Sequence, residues 1–220
     1  MQKNVATHKK LIIFDMDGTL VNSSITIANA INYVRKNLGF EPMDEETILR
    51  LVNDHSINPA ERFYHAKAFD ADHEKWFSEY YTKHHEHELV LYNGTKELLL
   101  ALREQGKSIA LATNAYRGST IESLTHLGIY EQFDAIACYD DVLQGKPHPD
   151  MLYKILDELD YKEEDAIFIG DGPRDELAAV EAKMDYIMVD WGFSEHGDKE
   201  VVYSVEELKN LLLPSSKEGN

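Results

Sequence analysis

One cysteine in 220 residues, 22 basic side chains against 40 acidic ones, and no long apolar run set the first limits on this chain. The lone Cys138 excludes an intrachain disulfide and suits a reducing compartment. The shortage of positive charge leaves a formal balance of −18, a surface that repels nucleic acid and anionic membranes, so neither is an expected partner. That surface also repels anionic substrates at long range, so an anion site here needs a local source of positive potential. No stretch is apolar enough to span a bilayer, and residues 1–10 are polar and lead into only four strongly apolar residues. Four are too few for the hydrophobic region of a signal peptide, and a cytoplasmic protein is expected. Hydrophobic residues make up 43% and charged residues 28%, which a soluble globular chain with one sizeable core and a smaller appendage would show.

Short apolar runs recur at Leu11–Phe14, Ser108–Ala112, Ala135–Ala137, 166–169 and 186–189, and each reads as a buried strand. Helical spacing lies between most of them. Leu98, Leu99 and Leu102 stop at Gly106, Ile121, Leu124 and Leu127 stop at Gly128, and Met151, Leu152, Ile155, Leu156 and Leu159 follow Pro149. Strands alternating with single helices predict an α/β fold, a parallel sheet with helices on both faces. Residues 22–90 break that rhythm. Ile27, Ile31, Val34 and Leu38 stop at Gly39, and Trp76, Phe77, Tyr80 and Tyr81 share the same period, without a convincing strand. An all-helical insert after the first strand is expected there, with a core made of residues 1–21 and 91–214. Residues 215–220 read as a disordered tail.

In open parallel sheets, ligands bind beyond the carboxyl ends of the strands. The first strand is followed by Asp15-Met16-Asp17-Gly18-Thr19, the second by Thr113-Asn114. Lys146-Pro147 stands downstream of the third, and Gly170-Asp171-Gly172-Pro173-Arg174-Asp175 ends the fourth. Carboxylates beside a core need a cation or a hydrogen-bond cage. Asp15, Asp17 and Asp171 offer the hard oxygen ligands that Mg²⁺ takes together with water and phosphate. Lys146, Thr113, Asn114 and the amides of the turn at Gly18 can cradle a phosphate and supply the missing positive potential. A carboxylate can also attack phosphorus itself.

The ordered set Asp-Met-Asp-Gly-Thr, Thr113-Asn114, Lys146-Pro147 and Gly-Asp-x-x-x-Asp resembles the four motifs of the haloacid dehalogenase-like hydrolases. The likeness covers essentially the whole core, with the insert where that family carries a type-1 helical cap. It implies a Rossmann-like core and a phosphatase of the phosphoglycolate phosphatase-like branch, acting on a small phosphorylated metabolite with Mg²⁺ and through an aspartyl phosphate. By the same resemblance Asp15 is the nucleophile and Asp17 the general acid, then base. Thr113 binds the phosphoryl group, beside the cradle that the residues themselves suggest for Asn114 and Gly18, and Lys146 neutralises charge between Asp15 and phosphate. Asp15, Asp17 (through its backbone carbonyl), Asp171 and Asp175 form the metal set, Asp175 as ligand or outer-shell partner. Asn22, Gly172 and Lys183 depart from the usual pattern without removing a catalytic group.

Other clusters carry less. His84, His85 and His87 read as a solvated helix end rather than a metal site, and the aromatics of residues 76–81 as core of the insert. Arg50, Asn53, Asp54 and His55 fall where related caps hang a specificity loop, and are balanced between that role and an ordinary surface turn. Arg117 is balanced between a substrate-anion contact and an ordinary helix start. A phosphosugar mutase on the same scaffold is one alternative, although Ile27-Ala28 stands where mutases carry a histidine. A non-enzymatic phospho-acceptor domain is the other. Oligomeric state is not legible.

Overall fold

The structure is a computed structural model that describes residues 6–52, 57–191 and 200–213, the side chains of 85–87 excepted. In chain order it forms β1 Leu11–Phe14, β2 Val21–Asn22, α1 Ser24–Asn37, α2 Glu45–Val52, α3 Pro59–Tyr64, α4 Ala71–Glu88, β3 Val90–Leu91, α5 Thr95–Glu104 and β4 Ser108–Ala112. There follow α6 Arg117–His126, β5 Ala135–Ala137, α7 Asp150–Leu159, β6 Ala166–Gly170, α8 Pro173–Glu181, β7 Asp185–Val189, β8 Val201–Val202 and α9 Val205–Leu212. The chain divides into two compact units. One holds the chain up to Val21, Leu91–Trp191 and residues 200–213; the other is Asn22–Val90.

Six strands form one sheet in the order β5-β4-β1-β6-β7-β8, and every pairing is parallel. The α/β expectation therefore holds. Chain order runs outward from β1 through β4 to β5, then crosses to β6 on the other side of β1, so the sheet's switch point lies at β1. All four β1 side chains are fully buried, because helices cover both faces. One face carries Leu11, Ile13, Ala110, Ala112 and Phe168 against Met151, Leu152, Ile155 and Leu156 of α7 and Ala178 and Ala179 of α8. Alternation sends Ile12 and Phe14 to the opposite face, where α5 packs on β4 and α9 on α5. Burying each such large side chain contributes about 1.5–3 kcal/mol. The site-bearing strand ends thus rest on a densely packed base.

The helical unit has its own core. Ala28, Ile31, Val34, Ile48, Leu51, Phe63 and Tyr64 cluster, with Trp76 and Phe77 packed against them. The α1 residue Arg35 is buried there, Nε donating to Glu41 O at 2.9 Å and an Nη to Phe63 O at 2.5 Å. Asn58 caps α3 by accepting from Ala60 and Glu61 N–H groups, and Pro59 takes the first helical position. β2 and β3, two residues each, pair with one another where the chain leaves and re-enters the sheet unit. Among the described residues no helix is long and apolar enough to cross a membrane. The expected tail at 215–220 lies outside the described residues.

Candidate active site

Parallel register sets the strand ends level. Phe14 pairs with Leu111 on one side and Ile169 on the other, so Asp15, Ala112 and Gly170 come next in the same row. Asp15 N–H still donates to Ile169 O at 2.8 Å, which keeps this buried carboxylate on the sheet's own ladder. The chain then turns sharply. Met16 O accepts from both Leu20 and Val21 N–H groups, and Gly18 N–H donates to Val21 O at 2.9 Å. Gly18 adopts φ +81, and a Cβ there would stand 2.0 Å from Asp171 Oδ2. Only glycine leaves that carboxylate its place.

Lys146 comes from the long connection between β5 and α7, yet is as buried as Asp15. Its Nζ lies 2.5 Å from Asp15 Oδ1 and 2.7 Å from Asp175 Oδ1, and 5.4 Å from the Phe168 ring centre. The backbone of Lys146 is held by one side chain, 32 residues earlier. Asn114 Nδ2 donates to Lys146 O at 2.9 Å, and Lys146 N–H donates to Asn114 Oδ1 at 2.9 Å. Gly145 makes that approach possible, since a Cβ there would meet Asn114 Oδ1 at 2.6 Å and Tyr139 Cδ2 at 2.7 Å.

The loop after β6 supplies the rest. Asp175, in the first turn of α8, accepts from Gly172 N–H at 3.1 Å with Oδ2 while Oδ1 faces Lys146. A Cβ on Gly170 would lie 2.5 Å from Asp175 Cβ, so this loop too is drawn tight around a glycine. Behind it the Tyr186 hydroxyl of β7 donates to Gly170 O at 2.8 Å. Burial, then Asp175 and Asp171, hold that phenol far above its ordinary pKa, so it stays a donor.

Asp15, Asp171 and Asp175 each place one oxygen within 4.8 Å of the others. One ammonium cannot balance three carboxylates. Burial first, then repulsion from Asp175 and Asp171, raises Asp15 well above the usual carboxylate range despite Lys146. Burial and Asp175 push Asp171 up to about 7. Burial alone would lower Lys146, but Asp15 and Asp175 outweigh it and keep the ammonium charged. An all-oxygen trio short of positive charge, with space kept by Gly18, fits a small hard divalent cation such as Mg²⁺. Asp17 is not part of that trio, although its charge acts on Asp171 and on Tyr92.

The family model for haloacid dehalogenase-like hydrolases matches residues 12–189. The chain belongs to this family. A haloacid dehalogenase-like relative named phosphoglycolate phosphatase, from Colwellia psychrerythraea, is 32% identical over 198 residues, covering 84% of this chain and 86% of that protein. Pyrophosphatase PpaX from Bacillus cereus is 28% identical over 183 residues, 82% of each chain. Among solved structures, CbbY from Rhodobacter sphaeroides in complex with phosphate superposes with a TM-score of 0.69 at 25% identity, over 91% of this chain and 96% of that one.

Within this haloacid dehalogenase-like core the remaining expected residues take differing places. Thr113 is buried, and its hydroxyl accepts from Ala115 N–H at 3.1 Å. Asn114 was expected to bind a phosphoryl group, but its carboxamide is engaged on both sides by the Lys146 backbone. Arg117 resolves as a structural residue: Nε and an Nη grip the Asp141 carboxylate at 2.7 and 2.5 Å, and the same Nη reaches Ile136 O. Arg50 is an exposed residue of α2, while Asn53, Asp54 and His55 lie outside the described residues. The His84 ring stacks on Tyr80 at 4.3 Å, and the side chains of His85 and His87 lie outside the description. Sequence reading gave Tyr186 a strand position only and missed its hydroxyl's contact with Gly170 and the contact of Asp175 with Lys146. The α8 start at Pro173 carried the only signal for the latter, since it places Asp175 in the helix's first turn.

Proposed function

We propose that this protein is a Mg²⁺-dependent phosphatase that hydrolyses a small phosphorylated metabolite through an aspartyl phosphate on Asp15. The observation that supports it most is the buried Lys146 ammonium shared by Asp15 and Asp175 at 2.5 and 2.7 Å beside Asp171. Asp15, Asp171 and the backbone carbonyl of Asp17 would hold Mg²⁺, which offsets negative charge on the carboxylates and on phosphate. Both Asp175 oxygens already have partners, Lys146 and Gly172, so we assign Asp175 to positioning rather than direct ligation. We also propose that residues 22–90 form the family's helical cap and govern substrate choice. The lone cysteine supports a cytoplasmic protein.

The chemistry then divides by residue. An Asp15 carboxylate oxygen attacks phosphorus while the bond to the substrate's leaving oxygen breaks, and Asp17 gives that oxygen its proton. Lys146 limits the charge that builds between Asp15 and the phosphoryl oxygens. Thr113 steadies the phosphoryl group. In the second half Asp17 takes a proton from water, the water oxygen bonds to phosphorus, and the bond from phosphorus to Asp15 breaks. Asp15 leaves as a carboxylate and inorganic phosphate is released. The PpaX relative gives pyrophosphate a place among the candidate substrates.

Phosphate release from a panel of phosphorylated metabolites and pyrophosphate, with Mg²⁺, tests the reading. Turnover of at least one compound is expected from the wild type and none from Asp15→Asn. An Asp15→Asn protein with wild-type turnover contradicts it, and transfer of phosphate between hydroxyls without release favours a mutase.

A further inference from the structure

Tyr186 pairs in register with Phe168 on β6, and sequence pattern gives it no role beyond a strand position. Its hydroxyl lies 2.8 Å from Gly170 O and 3.4 Å from Gly172 O. Those are the carbonyls of the two residues flanking Asp171. The backbone on either side of Asp171 is thus gathered toward one phenol, with the shorter contact as the hydrogen bond, while the carboxylate of Asp171 is laid against Gly18. The Tyr186 ring also lies 6.1 Å from the Phe168 ring, over which Lys146 Nζ sits. A hydroxyl in this place is not required to complete the sheet, because Tyr186 already pairs through its backbone. A phenylalanine would fill the same space and leave the loop carbonyls without this donor.

We propose that Tyr186 is a positioning residue for the metal-holding loop, its hydroxyl fixing the backbone around Asp171 and so setting the affinity for Mg²⁺. This rests on the assignment of Asp171 as a Mg²⁺ ligand. Groups that orient metal ligands typically change metal affinity by 10–100-fold when removed. One neutral hydrogen bond to backbone, rather than to a ligand atom itself, belongs at the lower end, about tenfold.

Calorimetric titration of the full-length protein with MgCl₂ alone tests this, using wild type, Tyr186→Phe, Tyr153→Phe and Asp171→Asn. Tyr153 is a second tyrosine that donates to a backbone carbonyl, Glu181 O at 3.2 Å, and its removal is expected to leave Mg²⁺ affinity unchanged. Tyr186→Phe is expected to raise the Kd for Mg²⁺ about tenfold. The Mg²⁺ concentration for half-maximal phosphate release should rise by the same factor, with KM for substrate unchanged at saturating metal. A folded Tyr186→Phe that binds Mg²⁺ as tightly as wild type overturns the proposal. So does a Tyr186→Phe that fails to fold by circular dichroism, because the hydroxyl then serves the fold rather than the loop. A different result removes the underlying metal assignment instead: a wild type that binds no Mg²⁺, or an Asp171→Asn that binds it equally well.

Discussion

Substituting Gly18 by alanine separates two effects that coincide at one residue. The first is backbone strain: φ is +81, and a left-handed conformation costs a non-glycine residue about 1–2 kcal/mol. The second is a collision. The new Cβ would stand 2.0 Å from Asp171 Oδ2, and real Cβ atoms do not come within 3.0 Å of a neighbour, so the carboxylate must retreat by roughly 1 Å. A displacement of that size in a catalytic array costs on the order of 10²-fold in rate. Gly106 supplies the control. Its φ is +70 with nothing within 4 Å of a Cβ, so Gly106→Ala carries the strain without the collision. Both variants should lose about 2–4 °C of melting temperature per kcal/mol of strain. Only Gly18→Ala should also lose about 10²-fold in kcat/KM and bind Mg²⁺ weakly. Thermal melts and steady-state phosphate release on both proteins decide the matter. Gly18→Ala with wild-type kcat/KM refutes the reasoning, because Asp171 then does not need the position it occupies.

Asn114→Ala should lower kcat more than it raises KM, since it leaves Lys146 N–H and C=O unpartnered, at about 1–3 kcal/mol for each buried group, while leaving phosphate contacts intact; a pure KM effect in steady-state kinetics would restore phosphate binding as its role. Arg117→Met should destabilise the fold by about 1–2 kcal/mol in urea unfolding through loss of the Asp141 pair, and leave KM unchanged. Burial and Asp175 push the Asp171 carboxyl up to about 7 in the folded protein, so its protonated form favours the fold. That contribution is complete below the ordinary carboxylate pKa and is lost as pH rises through about 7. Metal-free protein should therefore lose stability over this interval, and Mg²⁺, which displaces the proton, should bind more tightly and restore it, as melts at about pH 6 and about pH 8 with and without Mg²⁺ can check.

Much of the sheet is legible because its strands are short, bounded and buried on both faces: 11–14, 108–112 and 135–137 can be read from apolar runs alone. β2, β3 and β8, two residues each, give no periodicity to detect. The positions of Asp15, Thr113 and Asp171 follow from strand ends, which the parallel register then brings level. Lys146 is harder, since eight residues separate it from the end of β5, and only its neighbourhood with Asn114 explains how it is held. The Asn114–Lys146, Asp175–Lys146, Arg117–Asp141 and Tyr186–Gly170 contacts join residues 16–32 positions apart, through side chains whose direction no local pattern encodes. Arg117 shows the consequence. A cation just beyond a phosphate-type motif looks available to a substrate, and its engagement by Asp141 is visible only once β5 and α6 are placed.

The central claim is that Asp15 carries the phosphoryl group. Asp17→Asn protein, impaired in activating water, should accumulate the intermediate when mixed with Mg²⁺ and a turned-over aryl phosphate, whose leaving oxygen departs without a proton from Asp17, then quenched in acid and analysed by mass spectrometry. The account predicts a mass gain of one phosphoryl group that maps to the peptide bearing Asp15 and is absent from Asp15→Asn. Phosphate release by the wild type with no such adduct, or an adduct on any other residue, contradicts it.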